Sequence, residues 1–298
     1  MRERVIALRD WVLAPDVDPV PRHQAVGMAA VRILLGLMWL YNVSWKLPPD
    51  FGQEAGRGLY KYTAYAVDYP VLAPYSWIVD NLVLPNFEVF GWTVLLAETA
   101  LAVLLLSGTF VRLAALIGIA QALAIGLSVA YAPDEWPWSY WLMIGAHVAI
   151  LVGSSGRSLS VDGIRAGVGS PALLQRVWGG VAVLVGLFSI VASAGDPLDA
   201  SGPGLRSTDL SLSLGTFNLL GGLVLLLVGA GLLLGRSVSP APKAAAVLAV
   251  VAAVLLTVQI GFSDPLLGGN ATSVALLLTL AVIAAASAVA PATTTKRS

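Results

Sequence analysis

The sequence predicts an all-α integral membrane protein whose eight transmembrane helices leave both termini in the cytoplasm. Three observations predict it. Hydrophobic residues make up 57% of the 298-residue chain and charged residues only 11%, whereas soluble domains carry about 25% charge. Eight apolar stretches, at residues 26–45, 88–107, 111–131, 138–153, 175–194, 215–235, 244–263 and 271–290, match the roughly 20 residues that cross a bilayer. The basic residues then divide unevenly between alternate connections. With the N-terminus inside, Arg2, Arg4, Arg9, Arg22, Arg112, Arg157, Arg165, Arg176, Arg236, Lys243, Lys296 and Arg297 fall on the cytoplasmic side. Only Lys46, Arg57, Lys61 and Arg206 fall outside, the bias that orients multi-pass proteins. The expected location is the plasma membrane of a cell, with membrane lipids as the immediate partners.

Residues 1–25 lack the apolar core of a cleavable signal peptide and are charged throughout. Val5, Leu8 and Val12 share one helical face with Trp11 beside them, which predicts an interfacial helix on the inner leaflet. Pro15, Pro19 and Pro21 end it before the first span. The first span leads into a long outer loop, residues 46–87, carrying Phe51, Tyr60, Tyr62, Tyr65, Tyr69, Tyr75, Trp77 and Phe87. Such residues favour the headgroup level. The loop is expected as one or two short helices interrupted by Pro70, Pro74 and Pro85. It is read as an aromatic anchor, with a lid or a partner-docking surface as the sharper alternatives. Spans two and three meet in a tight turn at Gly108 and Thr109. The fourth is short, but Trp136 to Trp141 extend it to the headgroups.

A polar, glycine-rich cytoplasmic linker at 154–176 divides the chain. A four-helix membrane domain occupies 26–165 and a second four-helix region occupies 166–298. In the second region Gly231 and Gly235, with Gly222 and Gly229 nearby, let helix backbones approach closely. Packing within the chain is the expected use, and a homo-oligomer seam is the alternative. Spans five to eight otherwise read as ordinary lipid-facing helices.

The chain has no cysteine and only two histidines, His23 and His147. A disulfide, an iron–sulfur cluster, a thiolate metal site and a catalytic thiol are therefore excluded within it, and neither haem nor a metal is expected. No phosphate-binding glycine loop follows a strand, and no nucleic-acid partner is expected. What stands out is a set of polar residues inside the first four spans, where a charged group costs at least about 2.5 kcal/mol. Glu98, Gln121 and His147 each lie nine or ten residues into a span, near the midplane. Arg32 lies about two turns nearer the cytoplasm and is long enough to reach toward them.

Glu98 is the most informative of these. It is read either as one half of a buried ion pair with Arg32 joining spans one and two, or as a proton donor and acceptor. His147 is read as a hydrogen-bonded core residue or as a proton relay near Glu98. Gln121 is read as interhelical glue. Asn42 and Lys46 continue the polar character of span one outward, where Lys46 either marks the interface or binds an incoming anion.

At these residues the chain resembles a known family. Span one reads "VRILLGLMWLYNVSWKL", with Arg32, Gly36 and Lys46. Span two reads "LLAETALAVLLLSGTFVRLAALIG", with Glu98, Gly108 and Arg112. A cytoplasmic "LSVDG" follows at 159–163. This order resembles the DoxX/DoxD family of bacterial and archaeal membrane proteins over about residues 26–165. It departs from many relatives at Asn42 and Trp45, ahead of the lysine. The resemblance implies a four-helix membrane unit and a small subunit of a thiosulfate:quinone oxidoreductase type. A quinone would be the electron acceptor, an extracytoplasmic or membrane redox partner is implied, and Arg32, Glu98 and Lys46 carry over as site residues. Two functional classes are thereby open. One is a quinone-linked redox subunit with catalytic Glu98, Arg32 and His147 and with Lys46, Gln121 and Asn42 lining the substrate site. The other is a non-catalytic protein that binds or moves a lipid or small hydrophobic molecule, or scaffolds a partner.

Overall fold

The computed structural model describes residues 2–206 and 211–289. Lys296 and Arg297 lie outside the described residues, as do the side chains of Arg2, Arg4 and Val5. The chain forms α1 (Arg2–Leu13), α2 (Arg22–Ser44), α3 (Gly58–Asp68), α4 (Ala73–Ile78), α5 (Phe87–Ser107), α6 (Val111–Val129), α7 (Trp138–Val152), α8 (Val161–Arg165), α9 (Pro171–Ala192), α10 (Leu219–Leu233), α11 (Ala241–Val258) and α12 (Ala271–Val289). Six helical runs are long and apolar enough to cross a membrane, and α7 and α10 are apolar but shorter, at 15 residues each. This is an all-α, multi-pass membrane protein. One small ribbon interrupts the helices, where β1 (Gly204–Arg206) pairs antiparallel with β2 (Ser211–Ser213) between α9 and α10.

Helices α2 and α5 are antiparallel neighbours, as are α6 and α7, α9 and α10, and α11 and α12. The pairing does not follow connection length, since α2 and α5 are joined by residues 45–86 whereas α5 and α6, joined by the turn at 108–110, pack less closely. The bundle thus has two ends. The linker end carries α1, the α5–α6 turn and residues 153–165. The aromatic end carries residues 45–86 and 130–137.

Residues 73–107 form one continuous helical run, but regular α-helix is interrupted around Pro85, by a π turn at Val79–Val83 and a 3-10 turn at Leu84–Asn86, and Asn86 leaves the helical region at φ −120° and ψ 37° before α5 begins. Pro85 sits in the first turn of the 3-10 segment, where its missing N–H costs least. The extra residue of the π turn absorbs the bend. Pro74 likewise sits in the first turn of α4.

The last helix is not an ordinary lipid-facing one. Two-thirds of the residues in its apolar window (67%) are buried, against 33–44% in the other five candidates. α12 packs on α5, α2, α8, α9 and α11, so it lies between the two halves of the chain. Its Thr272, Ser273 and Thr279 are buried, and Ser273 Oγ donates to the Thr216 carbonyl at 2.7 Å. The sequence reading passes over these hydroxyls because Ser and Thr in a helix bond to carbonyls at little cost even in an apolar setting.

The glycines of the second half pack within the chain. A Cβ on Gly229 would stand 2.8 Å from the Gly179 carbonyl oxygen, and one on Gly222 would stand 2.9 Å from that of Gly186. The two pairs are seven residues apart on both α9 and α10, one heptad of close backbone contact. Gly231 meets Ala241 and Ala245 of α11, and Gly235 meets Pro242 and Gln175.

Candidate functional site

The polar residues of the first four spans separate into three places. The antiparallel register of α2 and α5 decides this. Gly36 of α2 packs directly on Leu106 of α5, where an added Cβ would lie 2.8 Å from the Leu106 side chain. Counting back eight residues along α5 and forward eight along α2 puts Glu98 level with Ser44, beside Lys46. Arg32 is twelve residues from that level, about 18 Å along the helix axis. No arginine side chain spans that gap, so the expected Arg32–Glu98 pair does not form.

Arg32 instead occupies the linker end, fully buried. Its Nε donates to the Ser155 carbonyl at 3.2 Å. Nη1 donates to Leu105 at 2.6 Å and Leu106 at 3.5 Å, and Nη2 to Ser158 at 3.2 Å and Leu159 at 2.8 Å. The carbonyls of Leu105 and Leu106 belong to the last turn of α5, which has no intrahelical donors left. Arg32 therefore caps that helix, with its charge at the negative end of the helix dipole. Close by, Asp162 of the "LSVDG" segment does the opposite for α6. Its carboxylate accepts the Phe110 N–H at 3.1 Å and the Val111 N–H at 3.0 Å, and pairs with Arg165 at 2.8 Å.

Gly108 makes the turn between the two helices at φ +67°, and a Cβ there would meet Arg32 Nη1 at 2.4 Å. Arg112 holds the α1–α2 connection onto this end through Asp16 at 3.3 Å and Asp18 at 3.4 Å, and holds α1 itself with its guanidinium over the Trp11 ring. Burial pushes the Asp16 carboxyl above the usual carboxylate range, opposed by Arg112 and the Ser155 N–H. Arg32, Gly108, Arg112 and Asp162 thus make one architectural knot at this end.

His147 forms the second place. It is fully buried and accepts the Trp39 indole N–H at Nε2, 3.1 Å away. Its Nδ1 lies 2.7 Å from the Met143 carbonyl, so Nδ1 carries the proton and the ring is neutral. The ring packs against Gly118, where a Cβ would stand 2.2 Å away. Both nitrogens are occupied by structural bonds and no bond links His147 to Glu98. The relay reading of His147 is not supported by this geometry. Gln121 on α6 is half-buried, and among the described residues no bond joins it to Glu98 or His147.

The third place, toward the aromatic end, brings together Glu98, Lys46 and Asn42. Lys46 Nζ lies 2.6 Å from Glu98 Oε2, with both side chains about 2% exposed or less. It also donates to the Asn42 carbonyl at 2.9 Å and sits over the Trp45 ring, 3.9 Å from its centroid. The Asn42 side chain turns back to the Met38 carbonyl. Glu98 Oε2, though touching the ammonium, has no hydrogen bond of normal alignment. It is a buried polar atom with acceptor capacity to spare. Lys46 is therefore neither an interface marker nor an anion port, because its charge is consumed by Glu98 below the surface.

From one turn beyond the pair toward the aromatic end lies a buried cluster of Val43, Phe51, Leu59, Phe87, Leu95 and Ala271, with Trp45, Tyr60, Phe90 and Trp92 at its margin. Of these aromatic rings, Trp45 is the one that touches Lys46. Trp45, Phe51 and Trp92 are site residues that sequence reading left in the loop or the lipid. The signal for Phe51 was available, since Gly91 is a lone glycine two turns before a buried charge. Matching the chain against known families, curated proteins and solved structures returns nothing.

Proposed function

We propose that the chain is a DoxX/DoxD-like protein of eight membrane spans, including the shorter α7 and α10. Its linker end and both termini face the cytoplasm of a cell whose plasma membrane it crosses. In this reading it serves as the membrane subunit of a quinone-linked oxidoreductase, and Lys46–Glu98 is its proton-exchanging element. The observation that carries the reading is the Lys46–Glu98 pair itself. A carboxylate and an ammonium, each compensated by the other, are buried beside Trp45 and one turn from a cluster of aromatic side chains, and one carboxylate oxygen lacks an aligned donor. Buried titratable pairs with this character cluster at working sites.

The chemistry of Glu98 suits a quinone oxygen: Oε2, beyond its contact with Lys46 Nζ, keeps acceptor capacity. A headgroup would take the space that Phe51 and its neighbours now pack. When bound, a quinone supplies the capacity to take up two electrons with two protons. The chain itself holds the proton. Lys46 Nζ and Glu98 Oε2 are 2.6 Å apart, so the proton passes between them once an ammonium N–H turns onto the oxygen, and burial keeps bulk water from the exchange. With no cysteine or haem ligand pair in the sequence, the electrons come from outside this chain, from a partner subunit or an oxidisable anion such as thiosulfate. Arg32 and His147 hold the bundle in register and take no part in proton transfer.

A second reading has its own observation. Phe51 and its neighbours fill the space outside the pair, so the ion pair also works as a fastener between α2, α5 and the outer loop. One experiment separates the two. Protein extracted with its native lipids is expected to carry quinone in stoichiometric amount and to reduce it with a suitable donor. Glu98→Gln is expected to lower turnover by about 100-fold or more, the loss typical of removing a general acid–base, with the fold retained. Unchanged turnover in Glu98→Gln, or only bulk phospholipid in both samples, supports the fastener.

A further inference from the structure

We propose that Phe51 is a plug, and that the loop 47–57 is the gate through which the Lys46–Glu98 pair communicates with the aromatic end; this rests on the pair being the working site. Phe51 is 1% exposed although it belongs to a connection otherwise made of turns. Its ring lies in a notch on α5 that exists because residue 91 is glycine. A Cβ there would fall 2.3 Å from the ring. Trp92 meets the ring edge to face, with centroids 5.6 Å apart. Gly91 is seven residues before Glu98, so the plug sits about 10 Å farther out along the same helix, with Leu95 between them. Val43 and Leu95, each one turn from a member of the pair, belong to the same buried cluster as Phe51.

The loop is built to hold this ring at a cost. Phe51 takes φ +52°, a left-handed backbone that a bulky residue seldom adopts, and Gly52, Gly56 and Gly58 follow at +87°, +58° and +59°. The seated ring and a few backbone bonds oppose that strain. The Phe51 carbonyl accepts from Tyr60 N at 3.3 Å, and Gly52 accepts from Arg57 N at 3.0 Å. The rim residues Gln53, Glu54, Ala55 and Gly56 are exposed. A loop closed by one inserted ring and strained at that residue opens by withdrawing the ring, and the glycines supply the backbone freedom.

The test uses the full chain in lipid nanodiscs and a water-soluble carbodiimide. The reagent activates the Glu98 carboxyl. Lys46, once it has lost its proton to the medium, attacks the activated carbon. An amide forms, the carboxyl oxygen leaves in the urea, and the chain loses one water. Peptide mass spectrometry reads the Lys46–Glu98 link, with exposed Glu54 and Glu88 as internal standards for reagent strength. Wild type is expected to link slowly. Phe51→Ala and Gly91→Ala are expected to link roughly 100-fold faster, the order by which losing a buried Phe shifts an equilibrium. A membrane-permeant carbodiimide is expected to link all three alike. Equal rates with the soluble reagent, while the permeant one still links, overturn the plug. Absence of the link with the permeant reagent overturns the pair and the plug together. Neither outcome depends on quinone or turnover, so a failed plug leaves the redox reading to its own assay.

Discussion

Replacing Arg32 by Lys is expected to destabilise the protein by about 4 kcal/mol. A lysine ammonium has three donors where the guanidinium has five in a fixed fork, so at least two buried carbonyls lose their partner at roughly 1–3 kcal/mol each. The affected groups are the α5 carbonyls of Leu105 and Leu106 and the loop carbonyls of Ser155, Ser158 and Leu159. Thermal unfolding in a mild detergent measures the loss. The protein that remains folded is expected to hold quinone at the wild-type ratio, because Arg32 lies far from Glu98. A nearly silent substitution would contradict the capping role, and a selective loss of quinone from folded protein would put Arg32 back at the working site.

The Lys46–Glu98 pair is expected to show the largest coupling in the molecule. Lys46→Met leaves a buried carboxylate without its cation and is expected to cost about 3–5 kcal/mol. Adding Glu98→Leu removes the stranded charge and is expected to restore most of that loss, because a buried ion pair is often no more stabilising than a well-packed apolar pair. A double-mutant cycle in unfolding free energy reads the coupling directly. Purely additive effects would mean that the two groups do not interact.

These expectations show where the sequence is legible. Hydropathy places the six helices long and apolar enough to cross a membrane, because about twenty apolar residues in a row have few other uses, and it also finds the shorter apolar α7 and α10. Polar residues inside those spans are visible for the same reason, Glu98 and Lys46 among them. Their partnership does not show in the sequence. Depths counted from presumed span ends put Arg32 two turns from Glu98, whereas the Gly36–Leu106 contact sets the register and puts Lys46 there instead. Register between two helices depends on packing of small against large side chains at long sequence separation, and neither helix carries it alone. The same limit hid α12, whose Ala- and Leu-rich sequence reads alike whether it faces lipid or protein. It also hid Asp162, which looks like a linker residue until the start of α6 is placed against it.

The central claim, that Glu98 takes and gives a proton as a bound quinone is reduced, is tested most directly by redox-induced infrared difference spectroscopy on protein in native lipid. The account predicts a carbonyl band of a protonated carboxylic acid that changes on quinone reduction and is missing from Glu98→Gln. A band that persists in Glu98→Gln, or a wild-type protein with no redox-active quinone and no carboxyl signal, would contradict it.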